Sequence, residues 1–232
     1  MATTVPKLRP SLRSSSPGTG YERDLWLQGA EFIVGIDEVG KGAWAGPLTV
    51  GAVVIPRDRR IYKVRDSKQL TPAEREGMAD RIKDWAVSWA VGHASAAECD
   101  DLGMSDAQRL ATRRALADLS VDPSHALLDG NWDFVDTIDT TTIVKGDTKS
   151  LSIAAASIIA KVTRDALMAA ESEMFPWYSF DANKGYPCHR HRAALRILGP
   201  TTIHRRTWVY MRDLGWDGII ECREQSEPLS LF

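Results

Sequence analysis

Two apolar runs near the start of the chain lie so close together that they restrict how its sheet can be built. The first, "FIVGID", covers residues 32–37, and the second, "LTVGAVVI", covers residues 48–55. Both are rich in the β-branched residues typical of strands. About ten residues join them, which is too few for the helical crossover that parallel neighbours require. We therefore expect the two segments to form an antiparallel pair.

Helix and strand patterns alternate along the rest of the chain. After Thr71, a capping box closed by Glu74, with Pro72 at the first helical position, predicts a helix. Ser105 with Gln108 predicts the start of another. Helices are expected at 21–30, 71–85, 105–119 and 150–170, and strands at 32–37, 48–55, 86–92, 126–129 and 142–145. This order predicts one α/β domain with a mixed five-stranded sheet, helices on both faces and a C-terminal helical region.

The two ends of the chain lack the pattern of a folded segment. Residues 1–20 are rich in Ser, Pro and Gly, which predicts a disordered tail, and residues 216–232 predict a C-terminal tail. One folded domain is expected at 21–215. The chain has three cysteines without a CxxC pair, and no apolar run approaches the ~20 residues of a membrane span. We therefore expect a cytoplasmic protein that does not bind membranes.

Four acidic side chains stand at the predicted ends of strands. They are Asp37 and Glu38 after the first strand, Asp129 in "LLDGN" and Asp147 in "KGDTKS". Sites are commonly built at strand ends of an α/β sheet, although each acid can also be a separate cap or turn residue. Because neighbours in a regular strand point to opposite faces, we expect the strand to end or distort at Glu38.

Four carboxylates in one place would repel one another unless cations neutralised them. Oxygen ligands select hard ions, so Mg²⁺ or Mn²⁺ is expected rather than zinc. Ions held in this way are suited to hydrolysis of phosphodiesters. If the four acids converge, the sequence predicts a metal-dependent site for that chemistry.

A basic segment, residues 184–212, follows the predicted central helix. It contains seven Lys or Arg, three His and no acidic residue, although the formal net charge of the whole chain is −2. Aromatic residues interleave with these charges, as expected for a surface that binds a polyanion. The alternative is a solvated helix face followed by a charged loop. Lys145 and Lys149, on either side of Asp147, add positive charge near the proposed site.

Six blocks of sequence, taken in order, are similar to one known family. They are "GIDEVGKGAWAGPL", "DSKQL", "LLDGN", "KGDTKSLSIAAASIIAKVTRD", "NKGY" and "GPTTIHRRTW". Over residues 31–212 the chain resembles the type 2 ribonucleases H, specifically bacterial ribonuclease HII. The resemblance implies the ribonuclease-H-like fold. It also implies an endonuclease that cuts the RNA strand of RNA–DNA hybrids and incises 5′ to single ribonucleotides in duplex DNA, leaving 5′-phosphate and 3′-hydroxyl ends.

The resemblance also implies roles for individual residues. The catalytic and metal-binding acids fall on Asp37, Glu38, Asp129 and Asp147, with Asp37 shared by two ions. Substrate-binding residues are expected at Gly40, Lys41, Gly42, Ser67, Lys68, Lys145, Lys149, Lys184, Tyr186, Arg205 and Arg206. The family reads the ribose 2′-hydroxyl with a Gly-Arg-Gly segment, in which this chain has Lys41. After Tyr186, which would pack on the following sugar, Pro187 and Cys188 replace the usual Gly and Thr.

Two other functions remain open at this point. One is a module that binds hybrid duplex through residues 184–212 but has a degenerate active site, which the intact acids argue against. The other is a metal phosphohydrolase for small substrates, which the long basic segment disfavours. We expect RNA–DNA hybrid and ribonucleotide-containing duplex DNA to be the partners of a monomer.

Overall fold

A mixed five-stranded sheet forms the centre of the fold in the computed structural model, which describes residues 16–64, 70–212 and 214. The strands are β1 (Ile33–Val39), β2 (Leu48–Val54), β3 (Ser88–Ala94), β4 (His125–Asp129) and β5 (Asp139–Ile143). Their order across the sheet is β3-β2-β1-β4-β5. β2 is antiparallel to both β1 and β3, whereas β4 is parallel to both β1 and β5. The antiparallel β1–β2 pair and the mixed sheet are confirmed.

Helices cover both faces of the sheet, as predicted. The helices are α1 (Gly20–Leu27), α2 (Pro72–Trp85), α3 (Ala96–Ala117), α4 (Leu151–Met174), α5 (Phe180–Asn183), α6 (His189–Leu198) and α7 (Val209–Arg212). Apolar residues of α2 and α4 share one core with the sheet, and those of α3 share another. Residues of α5, α6 and α7 contribute to a third core beside Trp44, which is the C-terminal helical region.

The central helix α4 lies unusually close to the sheet because two strand residues have no side chain. A Cβ atom at Gly35 would lie 2.2 Å from the backbone carbon of Ser152, and one at Gly51 would lie 2.5 Å from the Ala156 carbonyl oxygen. Backbone atoms of a helix cannot move aside to relieve such a clash, whereas the end of a flexible side chain can. Glycine at these positions therefore allows α4 to pack directly on β1 and β2, the strands that lead into and out of the 40–47 loop.

Most predicted elements are present, but several boundaries differ. The capping box of α2 is confirmed, since Thr71 Oγ1 accepts from the Glu74 amide and Glu74 Oε2 accepts from the Thr71 amide. A helix was expected to begin at Ser105, and a helical segment does begin close to it, just after the non-helical Gly103. The helix α3 is capped ten residues earlier, by Ser95 with Glu98, and continues through a kink at Gly103, where φ is 75°. The pattern after that kink was recognised, and the turns before it were not.

Two strands are displaced from their predicted positions. We expected β3 at 86–92 and β5 at 142–145, whereas they occupy Ser88–Ala94 and Asp139–Ile143. For β5 the reason is local, because Lys145 has a left-handed backbone with φ of 57° and belongs to the turn before Asp147. Strand propensity alone did not distinguish the strand from that turn.

The N-terminal boundary also needs correction. Gly18 exchanges backbone hydrogen bonds with Lys149 and Leu151, and Gly20 begins α1, so the expected tail over residues 1–20 extends too far. From α1, the fully buried Glu22 places Oε1 2.6 Å from Ser150 Oγ and 2.9 Å from the Ser152 amide. This carboxylate anchors α1 to the start of α4. Residues 1–15 and 216–232, including the predicted C-terminal tail, lie outside the described residues.

No helix among the described residues is both long enough and apolar enough to cross a membrane.

Candidate active site

Three of the four predicted acids meet at one edge of the sheet. Asp37 lies near the end of β1, Asp129 is the last residue of β4, and Asp147 lies in the short 3₁₀ turn after β5. Because these strands are parallel neighbours, their carboxyl ends lie on the same side of the sheet. One carboxylate oxygen from each residue lies within 4.8 Å of the others. We call these three residues the acidic cluster.

The electrostatics of the acidic cluster favour a bound cation. Burial, followed by the nearby charges of Glu38 and Asp129, raises the pKa of Asp37 well above its usual value. Backbone amides already fix two of the carboxylates, since Asp37 accepts from Glu38 N and Asp129 accepts from Gly146 N, both at 2.7 Å. Carboxylates this close would be stabilised by a divalent ion, and their oxygens match the ligands of hard ions. The cluster therefore fits a metal site.

Glu38 is placed differently from the other three acids. The strand β1 continues regularly through Glu38, which pairs with Val50, and ends at Val39. The expectation that the strand ends or distorts at Glu38 was therefore wrong. The Glu38 carboxylate lies outside the acidic cluster and 4.0 Å from the Lys41 ammonium group. It is still close enough to Asp37 to raise the pKa of that carboxyl group.

Two buried arginines hold the 40–47 loop, which carries the Gly40-Lys41-Gly42 segment. From α4, Arg164 donates to the carbonyl oxygens of Pro47 at 2.8 Å and Ala45 at 3.1 Å. From the other side, Arg205 donates to the carbonyl oxygens of Lys41 at 3.0 Å and Gly40 at 2.7 Å. Both arginine side chains are fully buried. The conformation of the loop is therefore fixed mainly through its main chain.

The arrangement around Arg205 corrects one prediction. We expected both Arg205 and Arg206 to bind substrate directly, but Arg205 has no exposed surface and its donors are directed at the loop. Arg206 is exposed, and only its backbone amide is fixed, by Asp100 at 2.6 Å. Of the two, Arg206 is therefore the residue that is accessible to a phosphate, whereas Arg205 positions the 40–47 loop.

Tyr186 also contacts the 40–47 loop. Its hydroxyl oxygen accepts a hydrogen bond from the Gly40 amide at 3.2 Å, and Arg164 lies 5.6 Å from the centre of its ring. The neighbouring Gly185 carbonyl oxygen accepts from the Trp44 amide at 2.8 Å. The structure thus brings together two segments that the sequence analysis assigned to the recognition of neighbouring sugars.

The remaining predicted substrate residues are distributed around this centre. Lys145 and Lys149 are exposed on either side of the turn that carries Asp147. Lys184 is half-buried, and its carbonyl oxygen accepts from Arg164 at 2.8 Å while its ammonium group donates to the Asp181 carbonyl at 2.5 Å. Ser67 and Lys68 lie outside the described residues.

Two buried histidines, whose pairing the sequence did not reveal, contact the Tyr186 carbonyl oxygen through one of their rings. The Nε2 atoms of His191 and His204 are 2.9 Å apart, and His191 Nδ1 lies 2.9 Å from the Tyr186 carbonyl oxygen. The amide of Thr201 donates to His204 Nδ1 at 2.9 Å. With both rings neutral, all three hydrogen bonds can form. The Thr201 amide donates to His204 Nδ1, His204 Nε2 donates to His191 Nε2, and His191 Nδ1 donates to the Tyr186 carbonyl oxygen. An added proton on either ring would break one of these bonds.

This pair predicts a loss of stability in acid. Burial, and secondly the neighbouring His191, lower the pKa of His204 to about 3. Between about pH 6.5 and 3 the unfolded chain therefore binds more protons than the folded chain, so stability falls as pH falls. We expect a loss on the order of 4 kcal/mol in the free energy of unfolding from this group. Denaturant unfolding across this range measures it.

The matched variants are His204→Gln and His189→Gln, the latter at an exposed position on α6. His204→Gln should flatten the decline in stability below pH 6.5, whereas His189→Gln should leave it unchanged. An equally steep acid decline in both variants would contradict this assignment.

Comparison with known proteins agrees with the geometry. The sheet order, the acidic cluster and the metal-compatible chemistry define a metal-dependent nuclease with a ribonuclease-H-like fold. A model of the ribonuclease HII family matches residues 34–211, and the chain belongs to that family. It is a metal-dependent hydrolase that cleaves the RNA strand of RNA–DNA hybrids.

Individual relatives support this placement. Ribonuclease HII of Streptomyces griseus is 44% identical over 208 residues, covering 88% of this chain and 88% of the relative. The protein of the same name from Nitrosococcus oceani is 47% identical over 176 residues, covering 76% of this chain and 88% of the relative. The crystal structure of ribonuclease H2 from Pyrococcus horikoshii aligns with a TM-score of 0.68 at 27% identity, over 79% of this chain and 97% of that chain.

Proposed function

We propose that this member of the ribonuclease HII family also incises duplex DNA 5′ to single embedded ribonucleotides, by two-metal-ion catalysis. The observation that supports this most directly is the position of Tyr186 beside the Gly40–Gly42 segment, marked by its hydroxyl oxygen 3.2 Å from the Gly40 amide nitrogen. It joins the segment proposed to read a 2′-hydroxyl to the residue proposed to test the next sugar. A hybrid-cleaving enzyme needs no such pairing of neighbouring sites, because every residue of the RNA strand carries the hydroxyl group.

The acidic cluster would hold Mg²⁺ or Mn²⁺, with Asp37 shared by two ions. Asp129 would be a further ligand, as would Glu38 from outside the cluster, and Asp147 would hold the second ion or its attacking water. When bound, such ions activate a water molecule and offset the charge on the reacting phosphate. The amides that bind Asp37 and Asp129 orient their carboxylates before any ion arrives. Products would carry a 5′-phosphate and a 3′-hydroxyl.

Recognition would rest on main-chain atoms and one ring. The Gly40–Gly42 backbone, whose Gly40 and Lys41 carbonyl oxygens accept from buried Arg205, would contact the 2′-hydroxyl of the ribonucleotide. The half-buried ring of Tyr186 would pack against the following deoxyribose, where an added hydroxyl would crowd it. Lys145, Lys149 and Arg206, which are exposed, would contact phosphates. We further propose that the enzyme acts as a monomer in the cytoplasm.

A duplex with one ribonucleotide tests this function. Incubation with Mg²⁺ or Mn²⁺ should give a single nick on the 5′ side of the ribonucleotide, while an all-DNA duplex of the same sequence stays intact. Cleavage of continuous hybrid without this nick would reject the proposal. Binding of both duplexes without any cleavage would instead support the degenerate binding module.

Tyr186→Ala should selectively impair cleavage at a single ribonucleotide, because the sugar-packing ring is lost. We expect the cleavage rate at a single ribonucleotide to fall at least about tenfold more than the rate on continuous hybrid, which corresponds to roughly 1.4 kcal/mol in the barrier. Tyr186→Phe is the matched variant, since it removes only the hydroxyl group that accepts from Gly40. For Tyr186→Phe, the ratio of the cleavage rate at a single ribonucleotide to the rate on continuous hybrid should be close to that of the wild type. If Tyr186→Ala also keeps that ratio, the ring does not sense the junction.

A further inference from the structure

An indole ring in the connection that follows Asp129 carries two cations from different parts of the chain. Trp132 lies in the β4–β5 connection, three residues after Asp129. The Lys41 ammonium nitrogen is 5.4 Å from its ring centre, and the Arg109 guanidinium carbon is 5.3 Å from it. One cation comes from the 40–47 loop and the other from α3. The ring therefore joins the loop to a helix that the proposed function leaves unused.

The ring is a fixed support and the cations remain accessible. Trp132 is half-buried and packs against Phe134, with ring centres 5.6 Å apart. The side chains of Lys41 and Arg109 keep 44% and 36% of their surface exposed. Lys41 has Glu38 as an acidic neighbour at 4.0 Å, and Arg109 has Asp106 at 2.8 Å and also interacts electrostatically with Asp136.

Two positive charges close to one ring are more stable when an anionic ligand is bound than in the isolated protein. Like charges disfavour each other, and an exposed pair gains little from a single aromatic face. A phosphate backbone lying across both would remove this repulsion. The two groups are also chemically complementary, since an ammonium acts as a point charge whereas a guanidinium can bind phosphate oxygens in a bidentate manner.

We propose that Lys41, Trp132 and Arg109 form a phosphate-binding strip for the sugar–phosphate backbone of the duplex beside the cleavage site. Lys41 and Arg109 contact phosphates, and Trp132 is a positioning residue that holds both. The guanidinium of Arg109 supplies the bidentate contact that Lys41 cannot make. The inference rests on the proposed function only in taking duplex nucleic acid as the ligand.

Salt dependence of duplex binding tests the strip. Affinity for an all-DNA duplex is measured with EDTA present, over a range of salt concentrations, for the full chain. Arg109→Gln should reduce the slope of log affinity against log salt by about 0.9, the value for one lost phosphate contact. Trp132→Ala should reduce the slope at least as much, because both cations lose their support. Trp132→Phe should restore the wild-type slope, because an aromatic face remains.

The chain offers a matched control for each change. Trp89 also carries a cation, with Lys83 5.0 Å from its ring, but it lies on β3 away from the acidic cluster. Arg113 lies one turn after Arg109 on α3 and is paired with Asp136. Trp89→Ala and Arg113→Gln should leave the slope unchanged.

An unchanged slope in Arg109→Gln, or a slope reduced equally in Arg113→Gln, would overturn the strip. Arg109→Gln decides the question even if Trp132→Ala fails to fold, since it changes a partly exposed side chain. The measurement is independent of the nick assay. An enzyme that nicks at ribonucleotides but shows no change in slope refutes the strip alone, whereas a changed slope without nicking refutes the proposed function alone.

Discussion

Asp37→Asn should reduce cleavage of RNA–DNA hybrid by at least about 10³-fold, or roughly 4 kcal/mol in the barrier. The residue lies at the centre of the acidic cluster, and an amide cannot replace its charge toward a divalent ion. Binding of duplex should persist, because losing a negative charge does not weaken attraction to phosphates. Cleavage rates under saturating metal, with binding measured in EDTA, separate these two effects.

The same substitution should raise the unfolding temperature in the absence of metal. Burial and neighbouring carboxylates raise the pKa of Asp37, so keeping this group charged at neutral pH costs folding free energy that the neutral amide avoids. The variant should also lose most of the rise in unfolding temperature that Mg²⁺ or Mn²⁺ gives the wild type. Asp122→Asn, at an exposed position, is the control for charge. Wild-type turnover by Asp37→Asn would remove this residue from the metal site.

Arg205→Met should reduce cleavage at an embedded ribonucleotide by about 100-fold, the loss typical of a catalytic geometry displaced by ~1 Å. The substitution keeps much of the stem but leaves the carbonyl oxygens of Gly40 and Lys41 without their buried donor. The free energy of unfolding should fall by about 3 kcal/mol, because buried acceptors become unsatisfied. The metal-induced rise in unfolding temperature should remain, since the acidic cluster is untouched.

Arg206→Met provides the neighbouring control. Its side chain is exposed, so stability should change by less than about 0.5 kcal/mol. If the residue contacts a phosphate, the salt slope of binding should fall by about 0.9. Equal effects of Arg205→Met and Arg206→Met on stability and on the salt slope would show that Arg205 does not act through the loop.

The acidic cluster could be predicted from the sequence because its members occupy the ends of β1 and β4 and the turn after β5. Once strands are placed, parallel pairing brings their ends together whatever the intervening length. Glu38 was harder to place, because alternation along a regular strand decides which face it occupies and the following glycines suggested a distortion that is absent. The start of α3 was missed because Gly103, with its positive φ, interrupts the helical pattern.

Burial within a charged segment could not be predicted from the sequence. Arg205 and Arg206 are adjacent and chemically identical, yet one is fully buried and the other exposed. The difference depends on where the carbonyl oxygens of a loop some 160 positions earlier are directed. Arg164 was within a recognised motif block, but nothing in the sequence distinguished it from Lys161 on the same helix. The histidine pair likewise depends on a contact between α6 and the segment after it.

The buried support of the 40–47 loop also sets an order of events during synthesis. Gly40 and Arg205 are separated by 165 positions, so at about 5–20 residues per second roughly 8–33 s pass between their translation. Asp147 is made well before Arg205, so every member of the acidic cluster exists while the loop carbonyl oxygens still lack this donor. A nascent chain stalled between these two residues would carry all three acids of the cluster without the arginine that fixes the 40–47 loop.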